Sequence, residues 1–541
     1  MTWWRARTKF KLGITVFFVV LLSLATNAQG GYSTEKHPEL GFDFISARDY
    51  DAIPIPPDEE WTILYFAEQE AFRENDRKRF RPELRFVFID HNPPPTPKPK
   101  PKKKEKEEED KKKDDKEKDG DAEEEEEEEI LPPISNFEIF AHQKLDTWDV
   151  GDSDSQKDHA GHLVNEYELT NKRYPKHFVG KAITFSNESR TIAVYGFCAA
   201  EDYWDQVKIW RKMLKKIKFY EPEAADTSEL ELYYSRNKFK NSAYRVQVRQ
   251  NLVDGWKAED TENYILVYST KDEPLIRIIK RELEAIRNEY IKEFPPVQEV
   301  EAVSTVRICK DEAEYHKYGG PRGTGGYWYD KSEELVFYDR DEREGEKRGT
   351  GKANTRIVLY HEAFHQYIYY AIGKIAPHSW FNEGTGDYYS GAVIKSGKVK
   401  KIGVNPWRIE YIQAAINGDY RLREESFEEI LAYSQADFYE GDRVGVCYSQ
   451  AWSMIYFLRT AKEVRKHPVW STILKTYFDT LQVAYAKELE GKQLEELDEE
   501  ELDEAKQKAR EAALTKAFSD VDLRELRNAW RKYTLGLKVP R

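Results

Sequence analysis

Between residues 40 and 91 apolar and polar positions alternate in three short runs, LGFDFIS, EWTILYFA and LRFVFID. That two-residue period predicts strands with one face covered. FEIFAH (137–142), HFVGKAITFS (177–186) and RTIAVYGFCA (190–199) follow the same pattern and are also predicted strands. The period then lengthens. In AEDYWDQVKIWRKMLKKIKF (200–219) the residues Trp204, Val207, Ile209, Trp210 and Leu214 form a broad apolar stripe, which predicts a helix. The stretch before residue 92 is short for an independent core. The pattern therefore predicts one α+β sheet domain over 31–220, with the polar run 92–133 inserted as a loop.

Residues 225–262 carry no clear period. A second unit begins near 262. ENYILVYST predicts a strand, DEPLIRIIKRELEAIRNEYIKEF an amphipathic helix closed by Pro295 and Pro296, and STVRICKD another strand. GGPRGTGGYWYDKSEELVFYD reads as a glycine-rich loop running into a hairpin that turns near 330–333. RIVLYHEAFHQYIYYAIG (356–373) predicts a helix, with Asn354 or Thr355 as its cap and Gly373 as its stop. Helical signals dominate after Glu383. LEGKQLEELDEEELDEAKQKAREAAL (489–514) is nearly all charge and good helix formers, which predicts a solvent-exposed helix or helical hairpin. The fold class expected is a multidomain α+β chain whose C-terminal region, 481–541, is charged and helical.

Composition adds limits. With 34% charged and 40% apolar residues over 541 positions, the chain has enough to build cores, and part of it must lie outside them. A net charge of −14 argues against nucleic acid or an anionic membrane as a general partner. The run 92–133 begins proline-rich, turns lysine-rich and ends acidic; it has little to bury and is expected to be a disordered tether. At the N-terminus, Arg5, Arg7, Lys9 and Lys11 precede the apolar run 12–25, with small Thr26 and Ala28 placed for cleavage after Ala28. This predicts a signal peptide over 1–28 and export to the periplasm, cell envelope or outside; an uncleaved anchor is the other reading. No other stretch is apolar enough to span a bilayer. Cys198, Cys309 and Cys447 fit either one disulfide and a free thiol or three buried thiols.

The candidate chemistry lies in HEAFH. On a helix His361 and His365 share one face and can converge on one ion, while Glu362, one residue around, can reach a water there. Downstream, PHSWFNEGTGDYYSGA starts at Pro377. Asn382 is the expected cap of a second helix, so Glu383 can supply a third ligand. Asp387, one turn further, can accept the free N–H of a ligand histidine and fix its tautomer. The donor set predicts one zinc ion per chain.

HEAFH followed by WFNEGTGDY resembles the gluzincin clan of zinc metallopeptidases. The resemblance covers about 262–480, is specific mainly over 355–391, and implies a zincin-like domain of a small sheet plus the zinc helix. It matches His361, His365 and Glu383 to the metal ligands, Glu362 to the general base and Asp387 to a supporting acid. CYSQAWSMIYFLRT is similar to a helix in the aminopeptidase branch, and there Tyr448 matches a transition-state tyrosine; a packed aromatic is the other reading. The overall pattern is most similar to an uncharacterised group of secreted bacterial gluzincin-like proteins. No GAMEN-type motif is present, so aminopeptidase specificity is not implied. His378 lies between the two helices, where a thermolysin-type catalytic histidine and a plain loop residue are the two readings. The N-terminal domain resembles the PsbP-like type, through its strand-rich, single-helix pattern and no catalytic motif. The implied activity is a secreted zinc-dependent endopeptidase acting on a peptide or protein. The rival expectation is an exported non-enzymatic binding or cell-envelope protein on the same scaffold.

Overall fold

The computed structural model describes residues 31–68, 81–93, 131–340, 350–492, 497 and 499–539. The expected signal peptide and most of the expected tether lie outside the described residues. The chain is a multidomain mixture of α and β. It divides into two compact units, one formed by residues up to Ala52 together with Trp61–Asp226, the other by Ile53–Glu60 and Thr227–Arg541.

In the first unit a small sheet has the order β1 (Tyr32–His37), β2 (Phe42–Ala47), β11 (Lys218–Phe219). A large sheet runs β3 (Tyr50–Ala52), β4 (Thr62–Glu68), β5 (Glu83–Asp90), β10 (Arg190–Ala199), β9 (Phe178–Ser186), β8 (His162–Asn171), β6 (Trp148–Val150), with β7 (Asp154–His159) also paired to β8. Neighbouring strands are antiparallel. Side-chain alternation assigns the two faces. On β10, Ile192, Val194 and Cys198 join one core with Phe86 and with Trp210 of α2 (Tyr203–Leu214). Ala193, Tyr195 and Phe197 join the opposite core with Phe137 and Phe140 of α1 (Phe137–Lys144). Both faces of β10 are covered, so its sequence reads as a nearly unbroken apolar run. The Trp210 indole N–H donates to Tyr50 Oη at 2.8 Å, and Tyr50 donates to Gln206 at 2.6 Å, so the buried polar tips are satisfied.

FEIFAH is a helix, not the expected strand. Asn136 Oδ1 accepts the Ile139 N–H at 2.8 Å, and Phe137, Phe140 and Ala141 are the buried positions. Six residues fit either period, and the cap selects the helix.

The second unit opens with α3 (Ser228–Asn237) and α4 (Ser242–Gln250). Its sheet has the order β12 (Lys257–Asp260), β13 (Tyr264–Tyr268), β14 (Ser304–Cys309), β16 (Glu334–Tyr338), β15 (Gly326–Tyr329). The three inner strands are parallel and the two edge strands antiparallel to them. α5 (Glu273–Glu293) crosses from β13 to β14; Asp272 caps it by accepting the Leu275 N–H at 3.0 Å, and Pro274 lies in its first turn, where no donor is needed. α6 (Glu312–Tyr318) precedes the β15–β16 hairpin.

Helices fill the rest: α7 (Thr350–Ile372), α8 (Ser379–Ser390), then the hairpin β17 (Ala392–Lys395) and β18 (Lys398–Ile402). α9 (Pro406–Asn417), α10 (Phe427–Ala432), α11 (Gln435–Phe438), α12 (Val444–Thr460), α13 (Lys462–Lys466), α14 (Ile473–Glu488), α15 (Glu499–Phe518) and α16 (Leu523–Leu535) complete the unit. One continuous core joins α5, α7, α8, α12 and α14. α15 is the charged, largely exposed helix expected, but one face of it is covered. Ala505, Ala509, Ala513 and Ala517 recur every fourth residue, are buried in that core, and let the helix pack closely beside α14. Cys198, Cys309 and Cys447 are three buried free thiols. No helix among the described residues is long and apolar enough to cross a membrane.

Candidate metal centre

α7 carries His361, Glu362 and His365. Its described part already includes Thr350, so Asn354 and Thr355 lie inside it and not at its cap; the Thr355 hydroxyl oxygen accepts the Arg340 N–H at 3.1 Å. The helix stops as expected at Gly373, whose φ of +108° favours glycine, and the Lys374 N–H closes the last turn on Tyr369 O at 2.8 Å. α8 starts a turn earlier than expected. His378 is its first flanking residue, which places Asn382 inside the helix. His378 faces away from any ligand role: its main-chain N–H donates to Tyr477 Oη at 2.9 Å and its Nδ1 lies 2.9 Å from the same oxygen. Burial, and then Arg510, lower its pKa to about 4.

α8 lies across α7 and brings His361, His365 and Glu383 together. All three are buried, and one ligand atom from each falls within 4.8 Å of the other two. Glu383 Oε2 is 3.0 Å from His361 Nε2 and 3.3 Å from His365 Nε2. The outer nitrogens have their own partners. His361 Nδ1 is 3.2 Å from Asp387 Oδ1, and His365 Nδ1 is 2.9 Å from Asn382 Oδ1. An Nδ1–H held by an oxygen leaves the Nε2 lone pair directed at the shared centre. Two imidazoles and a carboxylate fit a divalent metal ion of the zinc type.

Two glycines in the NEGTGD stretch let α8 approach its neighbours closely, Gly386 against α7 and Gly384 against α12. A Cβ on Gly386 would come within 3.0 Å of the His361 ring, and one on Gly384 within 2.5 Å of Ala451 O on α12.

The electrostatics suit the geometry. Burial opposes charge on the imidazoles, but Asp387 and Glu383 outweigh it at His361, and Glu383 outweighs it at His365; both pKa values lie above the ordinary one, that of His361 well above. Glu383 is held well below the usual carboxylate range, with His365 and His361 overcoming burial. The carboxylate is thus already ionised at neutral pH, whereas each imidazole must lose its proton to ligate. Divalent-ion affinity should therefore rise with pH across the neutral range and fall towards acid. Chelator competition at pH 6, 7 and 8 measures this; a flat profile would remove the imidazoles from the ligand set.

Glu362 lies beside the centre, partly buried. Burial raises its pKa, against the pull of His361 and His365. Tyr448 on α12 packs against His361 with ring centroids 6.2 Å apart. Two residues that the sequence patterns do not single out complete the surroundings. Arg408 Nε donates to Asp387 Oδ2 at 2.6 Å and its guanidinium covers the Tyr448 ring at 4.9 Å. Tyr439, just after α11, donates to Glu383 Oε1 at 2.6 Å. Burial, and then the Glu383 charge, hold both tyrosine hydroxyls well above their ordinary pKa, so both are proton donors.

Comparison with known proteins adds the following. No curated protein matches the chain. The solution structure of cyanobacterial PsbP (CyanoP) from Synechocystis sp. PCC 6803 is similar at 9% identity and a TM-score of 0.22, over 36% of this chain and 97% of that one. The family described as "Protein of unknown function (DUF1570)" matches residues 356–471. His361, Glu362, His365, Asn382, Glu383, Asp387, Arg408, Tyr439 and Tyr448 all lie inside that match, so it covers the whole candidate site.

Proposed function

We propose that the chain is an exported zinc-dependent hydrolase of peptide bonds, an endopeptidase of the gluzincin type, with His361, His365 and Glu383 as the ligands of one zinc ion. The observation that carries this reading is a buried His-His-Glu group with a fourth residue, Glu362, beside it and not spent as a ligand. Zinc bound there supplies a Lewis acid that polarises a carbonyl and acidifies water. Glu362 takes a proton from the attacking water and returns it to the leaving amine. Its raised pKa brings it nearer the operating pH than an ordinary carboxylate. Asp387 and Asn382 hold the imidazole tautomers, and Arg408 keeps Asp387 ionised and in place. Among the described residues β15 pairs with β16 and is the edge of its sheet, so its open side is the place for an extended peptide to align. Tyr448, whose ring packs against His361, stabilises the developing oxyanion.

Elemental analysis of the purified protein tests the first step. Close to one zinc per chain is expected, with cleavage of a broad peptide library abolished by a chelator and restored by zinc. A protein that takes up no zinc after mild reloading refutes the ligand set. A zinc-loaded protein that cleaves nothing leaves a metal-stapled binding protein as the surviving reading.

A further inference from the structure

The hydrogen bonds around Glu383 divide its two oxygens. Oε2 faces both ligand imidazoles at 3.0 and 3.3 Å, while Oε1 accepts the Tyr439 hydroxyl at 2.6 Å. Tyr439 has one hydroxyl hydrogen, and it is committed to that carboxylate. Its oxygen then accepts the Tyr448 hydroxyl, 3.3 Å away. The bonds run in one direction, Tyr448 to Tyr439 to Glu383.

The backbone beneath Tyr439 is built to hold it. Ser434 and Asp437 close a reciprocal cap on α11, and Phe438, fully buried, packs against both tyrosine rings at centroid distances of 5.7 and 5.5 Å. Tyr439 itself remains 39% exposed, so its ring contributes less to the core than its neighbour does.

We propose that Tyr439 is a positioning residue for the third ligand: it occupies Glu383 Oε1, restricts the carboxylate to ligation through Oε2, and is the route by which Tyr448 acts on the ligand. This rests on the metal-centre reading above. A carboxylate with both oxygens free can rotate or bind an ion through both, filling a position that hydrolysis requires for water. The Tyr439 bond removes that freedom. It also commits the Tyr448 proton inward until Tyr439 changes its partner.

Tyr439→Phe removes one oxygen and keeps the ring, and Tyr448→Phe removes only the outer bond of the chain. Zinc affinity is read by competition with a chromophoric chelator, and ligand number by X-ray absorption on the zinc-loaded full-length protein. Tyr439→Phe should weaken zinc binding about 10- to 100-fold, the usual effect of losing a partner of a ligand. It should also add a second carboxylate oxygen to the coordination. Tyr448→Phe should give a smaller loss with the same coordination as wild type. Wild-type affinity and coordination in Tyr439→Phe overturn the proposal while leaving the metal centre standing. So does a lower Tm of the metal-free variant with unchanged coordination, the mark of a merely structural role. A wild-type protein that binds no zinc removes the centre itself and this inference with it.

Discussion

Glu362→Gln is expected to lower peptide hydrolysis by about 10²- to 10⁴-fold, the range set by loss of a positioned general base, while zinc content and substrate binding stay at wild-type levels. Glutamine keeps the volume of the side chain and one acceptor oxygen. It cannot take a proton. The loss should fall on kcat with KM little changed, since the proton moves only in the transition state. Wild-type activity should also decline on the acid side as Glu362 protonates. Because burial raises its pKa, that decline should begin at a higher pH than for an ordinary carboxylate. Activity equal to wild type in the glutamine variant would falsify the role given to Glu362. Loss of zinc along with activity would instead make Glu362 a ligand.

The buried His-His-Glu group that could hold a metal ion was largely legible in the sequence because its three residues lie on two helices close together along the chain, with local stops. His361 and His365 need only a helix to converge, and Gly373 ends that helix by backbone preference alone. Glu383 needs only a tight return. Errors arose where two local signals competed. Asn382 has the chemistry of a helix cap, yet α8 begins earlier and the amide is used on His365 instead. FEIFAH satisfied both periods, and its cap residue lay one position outside the run. Tyr439 and Arg408 carried no signal at all. They lie 56 and 25 residues beyond Glu383 and reach the centre only through the packing of α11 and α9, which no local pattern encodes. The alanine stripe of α15 was present in the sequence, but its mixed charge concealed a face made of small residues.

Gly384→Ala is expected to destabilise the second unit and loosen its metal site together. In an isolated helix the change would gain about 0.5–1 kcal/mol, because alanine is the better helix former. Here the added methyl would lie 2.5 Å from Ala451 O, 2.7 Å from Ala451 C and 2.8 Å from Ile455 Cγ1. The first two are backbone atoms and cannot rotate aside, so α8 and α12 must separate. Overpacking of this kind typically costs about 1–3 kcal/mol and sometimes more, enough to outweigh the propensity gain and lower Tm by several degrees. Separation also shifts Glu383 on α8 relative to Tyr448 on α12, and the Tyr439 bond spans that gap. Zinc affinity should therefore fall with Tm. Gly151→Ala is the control: its methyl would meet only ordinary contacts at 3.6 Å and beyond, and Tm should stay within error. If Gly384→Ala keeps both wild-type Tm and wild-type zinc affinity, then the close approach of α8 and α12 is not what holds Glu383 over the two histidines, and the glycine has some other reason to stand beside the third ligand.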